Sequence, residues 1–132
     1  MVIIDTTVWI DYLRSIENPE TRWLDRELRR QRLGLTDLIL CEVLQGIRQQ
    51  SSFSRVQAGL LKFRVFQTGG SSLAIAAALN YRHLRERGYT VRKTIDCLIA
   101  TFCLQAQHQL LHRNHDFDLF EKVLGLQIVH AS

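Results

Sequence analysis

Three cysteines, Cys41, Cys97 and Cys103, are an odd number, form no C-x-x-C pair and sit in apolar surroundings. That excludes a disulfide framework and reads as reduced core thiols of a cytosolic protein. Proline is nearly absent, and the single one, Pro19, follows Asn18 where it opens a helix rather than breaking one. Apolar stretches such as 73–79 are far too short to cross a bilayer, so a soluble chain is expected. The opening Met-Val-Ile-Ile-Asp has no basic lead-in and no small-residue cleavage site, so it is read as a buried strand and not as a signal peptide. There is no internal repeat, no low-complexity segment, no G-x-G-x-x-G, no Walker loop and no H-E-x-x-H, which leaves no case for a nucleotide cofactor or a helix-borne zinc site.

What remains is an ordinary globular composition, 46% hydrophobic and 23% charged in 132 residues. At this length roughly two-thirds of the unfolded surface can be buried, enough for one core, and one domain over 1–132 is expected. A net charge of +4 with a pI near 9.3 favours a polyanionic partner without requiring one.

The apolar run Val2–Ile4 ending in Asp5 suits a central parallel strand. Val8, Trp9, Tyr12 and Leu13 then recur at helical spacing, with Thr6 or Thr7 as the expected cap. A helix from Pro19 turns Trp23, Leu24 and Leu28 inward. A strand over 33–36 precedes a helix capped by Thr36 or Asp37 that carries Leu40, Val43, Leu44 and Ile47 around Glu42. Further helices are expected over 52–63, 72–87, 94–107 and 117–124, with strands at 65–66, 110–112 and 126–129. Strands alternating with helices predict a three-layer α/β/α domain around a central parallel sheet of four to five short strands. In such sheets the functional crevice lies at the carboxyl ends of the strands, so Asp5 and Asp116 should share a rim.

Asp11, Glu17, Glu20, Asp25, Glu27, Glu86 and Glu121 fall on polar helix faces or loops and read as solvated. Asp5, Glu42, Asp96 and Asp116 abut apolar residues, and burying an ionised carboxylate costs several kcal/mol unless something pairs with it. Each alone has a structural explanation; Asp96, for example, suits a helix start. Brought together, oxygen ligands without cysteine or histidine would suit a hard cation, Mg²⁺ or Mn²⁺. Such an ion activates water and offsets charge on a scissile phosphate, which points to phosphodiester hydrolysis.

Four segments carry a resemblance. Asp5-Thr6-Thr7-Val8-Trp9-Ile10 resembles the opening motif of PIN domains, and Glu42-Val43-Leu44-Gln45-Gly46 resembles their E-x-x-x-G helix. Thr94-Ile95-Asp96-Cys97-Leu98-Ile99-Ala100 resembles their D-x-x-I-A segment, and 110–117, ending Asn114-His115-Asp116-Phe117, their closing motif. Order and spacing match across the whole chain, and the short length and opening look most like the VapC toxins. The resemblance implies Asp5, Glu42, Asp96 and Asp116 as metal-binding acids holding Mg²⁺ or Mn²⁺, with Thr6 and Asn114 in support. Because Asn114 stands where some relatives have an acid, the fourth ligand position is left open between it and Asp116, with Asp118 a distant alternative. The family further implies a metal-dependent endoribonuclease cutting transfer or ribosomal RNA in the cytoplasm, a homodimer, and a cognate antitoxin.

Two basic clusters are present, Arg26, Arg29, Arg30 and Arg32, and Arg82, Arg85, Arg87, Arg92 and Lys93. The first reads as a solvated face with local ion pairs around Asp25. Arg92 and Lys93, close to Asp96, and Arg113 are candidate RNA contacts. The spacing of His108, His112 and His115 superficially suits one helix face, but a turn and strand are expected to separate His108 from the others and no H-E-x-x-H or cysteine pair completes a zinc site; Trp9, Tyr12 and Trp23 read as packing residues. Asp5-Thr6-Thr7 also resembles the start of haloacid-dehalogenase phosphatases, but those need an aspartate where this chain has Thr7. The rival function is a non-catalytic interaction module whose acids bind a basic peptide or partner protein; a weaker one is a nuclease acting on DNA.

Overall fold

Val2, Ile3 and Ile4 are all buried and form β1 (Val2–Ile4), one of the two middle strands in the computed structural model, which describes residues 1–132. The chain continues through α1 (Thr6–Leu13), α2 (Pro19–Glu27), β2 (Leu33–Thr36), α3 (Asp37–Gln45), α4 (Gln50–Leu60), β3 (Arg64–Phe66), α5 (Ser71–Glu86), α6 (Thr94–Ala106), β4 (Gln109–Leu111) and α7 (Asp116–Leu124). The four strands lie in the order β3-β2-β1-β4 and every pairing is parallel. With helices covering both faces, this is the expected three-layer α/β/α architecture.

The order decides where the site can be. From β1 the chain steps to β2 and on to β3 in one direction, then returns through α5 and α6 to place β4 on the other side of β1. Right-handed crossovers therefore send α1–α4 to one face and α5–α6 to the opposite face. The reversal falls between β1 and β4, and the connections leaving their carboxyl ends open a crevice there. Asp5 leaves β1 at that crevice, where its N–H donates to the carbonyl of Leu111 at the end of β4 (2.9 Å).

One cluster of 23 buried apolar residues fills the layers. Trp9 packs against Phe63 at a ring separation of 5.1 Å, so it is a core residue as its spacing suggests. Gly34 in β2 has no room for a side chain, since a Cβ would lie 3.0 Å from the Phe66 ring and 3.1 Å from the carbonyl oxygen of Arg64. Asn18 and Thr21 cap α2 reciprocally, each side chain accepting from the other's backbone N–H.

Several expectations shift. Asp5 itself, not Thr6 or Thr7, caps α1, its backbone extended and its carboxylate accepting from the Thr7 N–H, because Thr6 and Thr7 already lie inside the helix. β4 starts one residue earlier than its apolar run suggests, because Gln109 pairs with Val2. The final strand is reduced to one bridge between Leu110 and Ile128. Cys97 and Cys103 are buried, but Cys41 is exposed on α3.

Candidate active site

Three of the four candidate acids sit at helix N-termini. Asp5 caps α1, Asp96 lies in the first turn of α6, and Asp116 is the first residue of α7. Each helix start offers unpaired N–H groups and the positive end of its dipole, the local reason that carboxylates can be placed there. Glu42 comes from within α3 and is held differently, by the Thr6 hydroxyl donating to Oε1 at 2.6 Å. Asp5 and Asp96 are only 2% and 4% exposed, whereas Glu42 and Asp116 are half-buried.

Each acid has neutral supports. Asp5 Oδ2 accepts from the Thr7 hydroxyl (2.6 Å) and backbone N–H (3.1 Å). Asp96 Oδ2 accepts from Asn114 Nδ2 (3.0 Å), and Asn114 Oδ1 in turn accepts from the N–H of Asp116 (3.0 Å). Both polar atoms of the Asn114 amide are thus engaged, and Asn114 bridges two acids. Asp118 is instead engaged by His115, at 3.2 Å from Nδ1.

The acids feel one another. Burial pushes the Asp5 carboxyl up to about 6, against the two Thr7 hydrogen bonds, and the charges of Asp96 and Glu42 push it the same way. Burial likewise raises Asp96, opposed by the Asn114 hydrogen bond and the Lys93 charge and reinforced by Glu42 and Asp116. No three of these side chains are drawn close enough to hold an ion as they stand. Each carboxylate turns to its own partner, Glu42 to Thr6, Asp96 to Asn114 and Asp116 to Arg92.

The donor set fits a hard divalent cation. It consists of carboxylate oxygens gathered at a strand-end crevice, and the two most buried have no Arg or Lys partner. Helix starts and hydrogen bonds offset part of the cost of keeping such groups ionised out of water, and a cation would offset the rest.

The basic candidates divide. Arg92 is exposed, with Nη2 3.4 Å from Asp116 Oδ1, and Lys93 is exposed at the start of α6. Arg113 places Nη1 2.7 Å from Asp11 Oδ2 and Nε 3.3 Å from Glu20 Oε1. Asp11 and Glu20, read from sequence as solvated, are therefore only 17% and 20% exposed at their side chains. The pairing joins residues 102 positions apart, and nothing in the sequence signals it. Thr7, by contrast, stands two residues from the Asp5 it supports, and its place in the sequence suggests only a cap for α1. In the first basic cluster Arg30 pairs with Glu27, while Asp25 accepts from the Tyr12 hydroxyl instead of an arginine. His108 packs against Phe66 and Phe102 in a three-ring cluster.

Residues 2–123 match the family profile described as PIN domain. The chain is 31% identical over 130 residues to ribonuclease VapC11 of Mycobacterium tuberculosis and, equally, to VapC ribonuclease Mb1587 of Mycobacterium bovis, covering 96% of each partner and 96% of itself. Among solved structures, VapBC2 from Rickettsia felis bound to a promoter DNA fragment superposes with a TM-score of 0.78 at 13% identity, covering 100% of both chains. FitAcB from Neisseria gonorrhoeae gives 0.77 at 19% identity, covering 98% of this chain and 97% of that one.

Proposed function

The chain belongs to the PIN-domain family, and on that premise we propose that it is an endoribonuclease dependent on Mg²⁺ or Mn²⁺ that acts as the toxin of a toxin–antitoxin pair. Identity of 31% along nearly the full length of two VapC ribonucleases supports the ribonuclease reading. The observation that carries the metal dependence is the burial of Asp5 and Asp96 with no cationic side chain pairing with either carboxylate. Asp5, Glu42, Asp96 and Asp116 would hold the cation, and a hard divalent ion supplies there an acidified water and a charge that offsets the phosphate.

The chain's own residues account for the rest. Asp5 and Asp96 must be ionised to act, and their raised carboxyls place that ionisation nearer neutrality than usual. The Thr6 hydroxyl fixes the rotamer of Glu42, and Asn114 fixes Asp96 against Asp116. Arg92 and Lys93, exposed beside these acids, offer positive charge to the phosphates of an RNA whose approach the carboxylates alone would repel. A transfer or ribosomal RNA target, a cytoplasmic setting, a homodimer and a cognate antitoxin complete the proposal. The antitoxin draws support from fold neighbours solved as VapBC and FitAB assemblies.

The test is cleavage of total bacterial RNA by the purified chain with Mg²⁺, Mn²⁺ or EDTA, beside Asp96→Asn. Discrete products that need a cation and vanish in the variant are expected. Folded, antitoxin-free protein that cuts nothing under any condition would instead favour a module that binds a basic peptide, a reading to which the Arg92–Asp116 pair lends its geometry.

A further inference from the structure

The loop between β4 and α7 reaches back over the crevice and touches the supports of three acids. The backbone N–H of Arg113 donates to the Thr7 hydroxyl oxygen (3.0 Å), and that hydroxyl donates to Asp5 Oδ2 (2.6 Å). Because the oxygen already receives the N–H, its own proton is free to aim at Asp5, so the two bonds form one directed chain. The next residue, Asn114, holds Asp96 with its Nδ2 and the N–H of Asp116 with its Oδ1.

The same loop is anchored on its far side. The Arg113 guanidinium reaches Asp11 on α1 and Glu20 on α2, and Asn18 Nδ2 donates to the same Asp11 oxygen at 3.1 Å. A guanidinium flanked by two carboxylates leaves the locality with an excess negative charge. That is a poor site for a phosphate. A planar fork meeting two separate acids is a good device for fixing an angle.

We infer that Arg113 is a positioning residue: with Asp11, Glu20 and Thr7 it forms a strut that holds the β4–α7 loop, and through it Asp5 and Asp96, in the arrangement the cation requires. This rests on the metal-dependent nuclease reading and assigns Arg113 to the geometry of the site instead of to RNA. Asp11 is the decisive position. Removing an acid cannot weaken an RNA contact by charge, yet it releases the strut.

The experiment measures Mn²⁺ binding by calorimetry without RNA, RNA turnover, and amide exchange over 112–116, in Asp11→Asn, Arg113→Ala, Arg113→Lys, Thr7→Val and Thr7→Ser. The strut predicts that Asp11→Asn, Arg113→Ala and Thr7→Val each weaken Mn²⁺ about 10-fold or more and lower kcat about 10- to 100-fold. KM for RNA and the salt dependence of RNA binding should stay unchanged, and the Arg113 amide should exchange faster. Thr7→Ser should restore wild-type values, and Arg113→Lys should fall between. Circular dichroism confirms that the variants fold, and the milder Arg113→Lys and Thr7→Ser pair carries the comparison if an alanine or valine variant does not.

The inference is overturned if Arg113→Ala raises KM and flattens the salt slope by about one with Mn²⁺ affinity intact, or if Asp11→Asn is silent. Loss of Mn²⁺ affinity in Asp11→Asn upholds the strut even where no RNA is cut; that second result defeats the nuclease reading alone.

Discussion

Asp5 serves as the cap of α1 and as a buried charge, and the two roles respond differently to pH. The folded protein keeps the Asp5 proton up to about pH 6, whereas an unfolded chain releases it near 3.8. Between these values the folded state binds more protons, so stability falls as pH rises through the interval, and the whole penalty is in place above about pH 7. The shift corresponds to about 3 kcal/mol. Asparagine caps as well as aspartate and carries no charge. Asp5→Asn should therefore abolish cleavage while raising the cation-free melting temperature at pH 7.5, on the order of 10 °C, with the difference gone near pH 4. Thermal melts followed by circular dichroism at both pH values check this; equal melting at pH 7.5 would mean that Asp5 is not destabilised by burial. Asp5 and Asp96 were legible as buried acids because carboxylates embedded in apolar runs must be compensated. Asp11, Arg113 and the link from Thr7 to Arg113 were not, because these contacts span more than 100 positions, and locally the residues look like any polar side chain on a helix or loop.

Each helix start is fixed by a few atoms, and two changes show how much rests on them. Asn18 is buried within the reciprocal cap of α2 and also donates to Asp11. Asn18→Ala should cost about 1–2 kcal/mol, read from urea unfolding. Gly34→Ala in β2 meets the Arg64 carbonyl, which cannot rotate away, and should cost about 1–3 kcal/mol. An unchanged midpoint in that variant would show that β2 and β3 can separate without loss. The alternation of short apolar runs with amphipathic stretches made the order of strands and helices readable in advance. It did not give the register of β4, since 109–111 and 110–112 are equally compatible with the apolar pattern, nor the shrinkage of 126–129 to a single bridge, which depends on how closely the C-terminal segment lies along β4.

The parallel order β3-β2-β1-β4 gathers acids from four distant stretches at one rim, and that rim should behave as a unit toward ions and RNA. Saturating Mn²⁺ should raise the melting temperature at pH 7.5 by mass action and lose most of that effect near pH 5, where Asp5 is protonated; differential scanning fluorimetry reads both. Arg92→Ala and Lys93→Ala should each weaken RNA binding and reduce its salt slope by about one, without the loss of Mn²⁺ affinity expected at Arg113. An undiminished slope in both would place the RNA elsewhere. The pairing of β1 with β4 has a consequence for how the protein comes into being. Asp5 and the strand that completes its surroundings stand about a hundred residues apart in the chain, so closing that long loop is a late and entropically demanding event in folding. Until that loop closes, Asp5 and Asp96 lack the β4–α7 segment that braces them, so the acidic rim is among the last parts of the molecule to take shape.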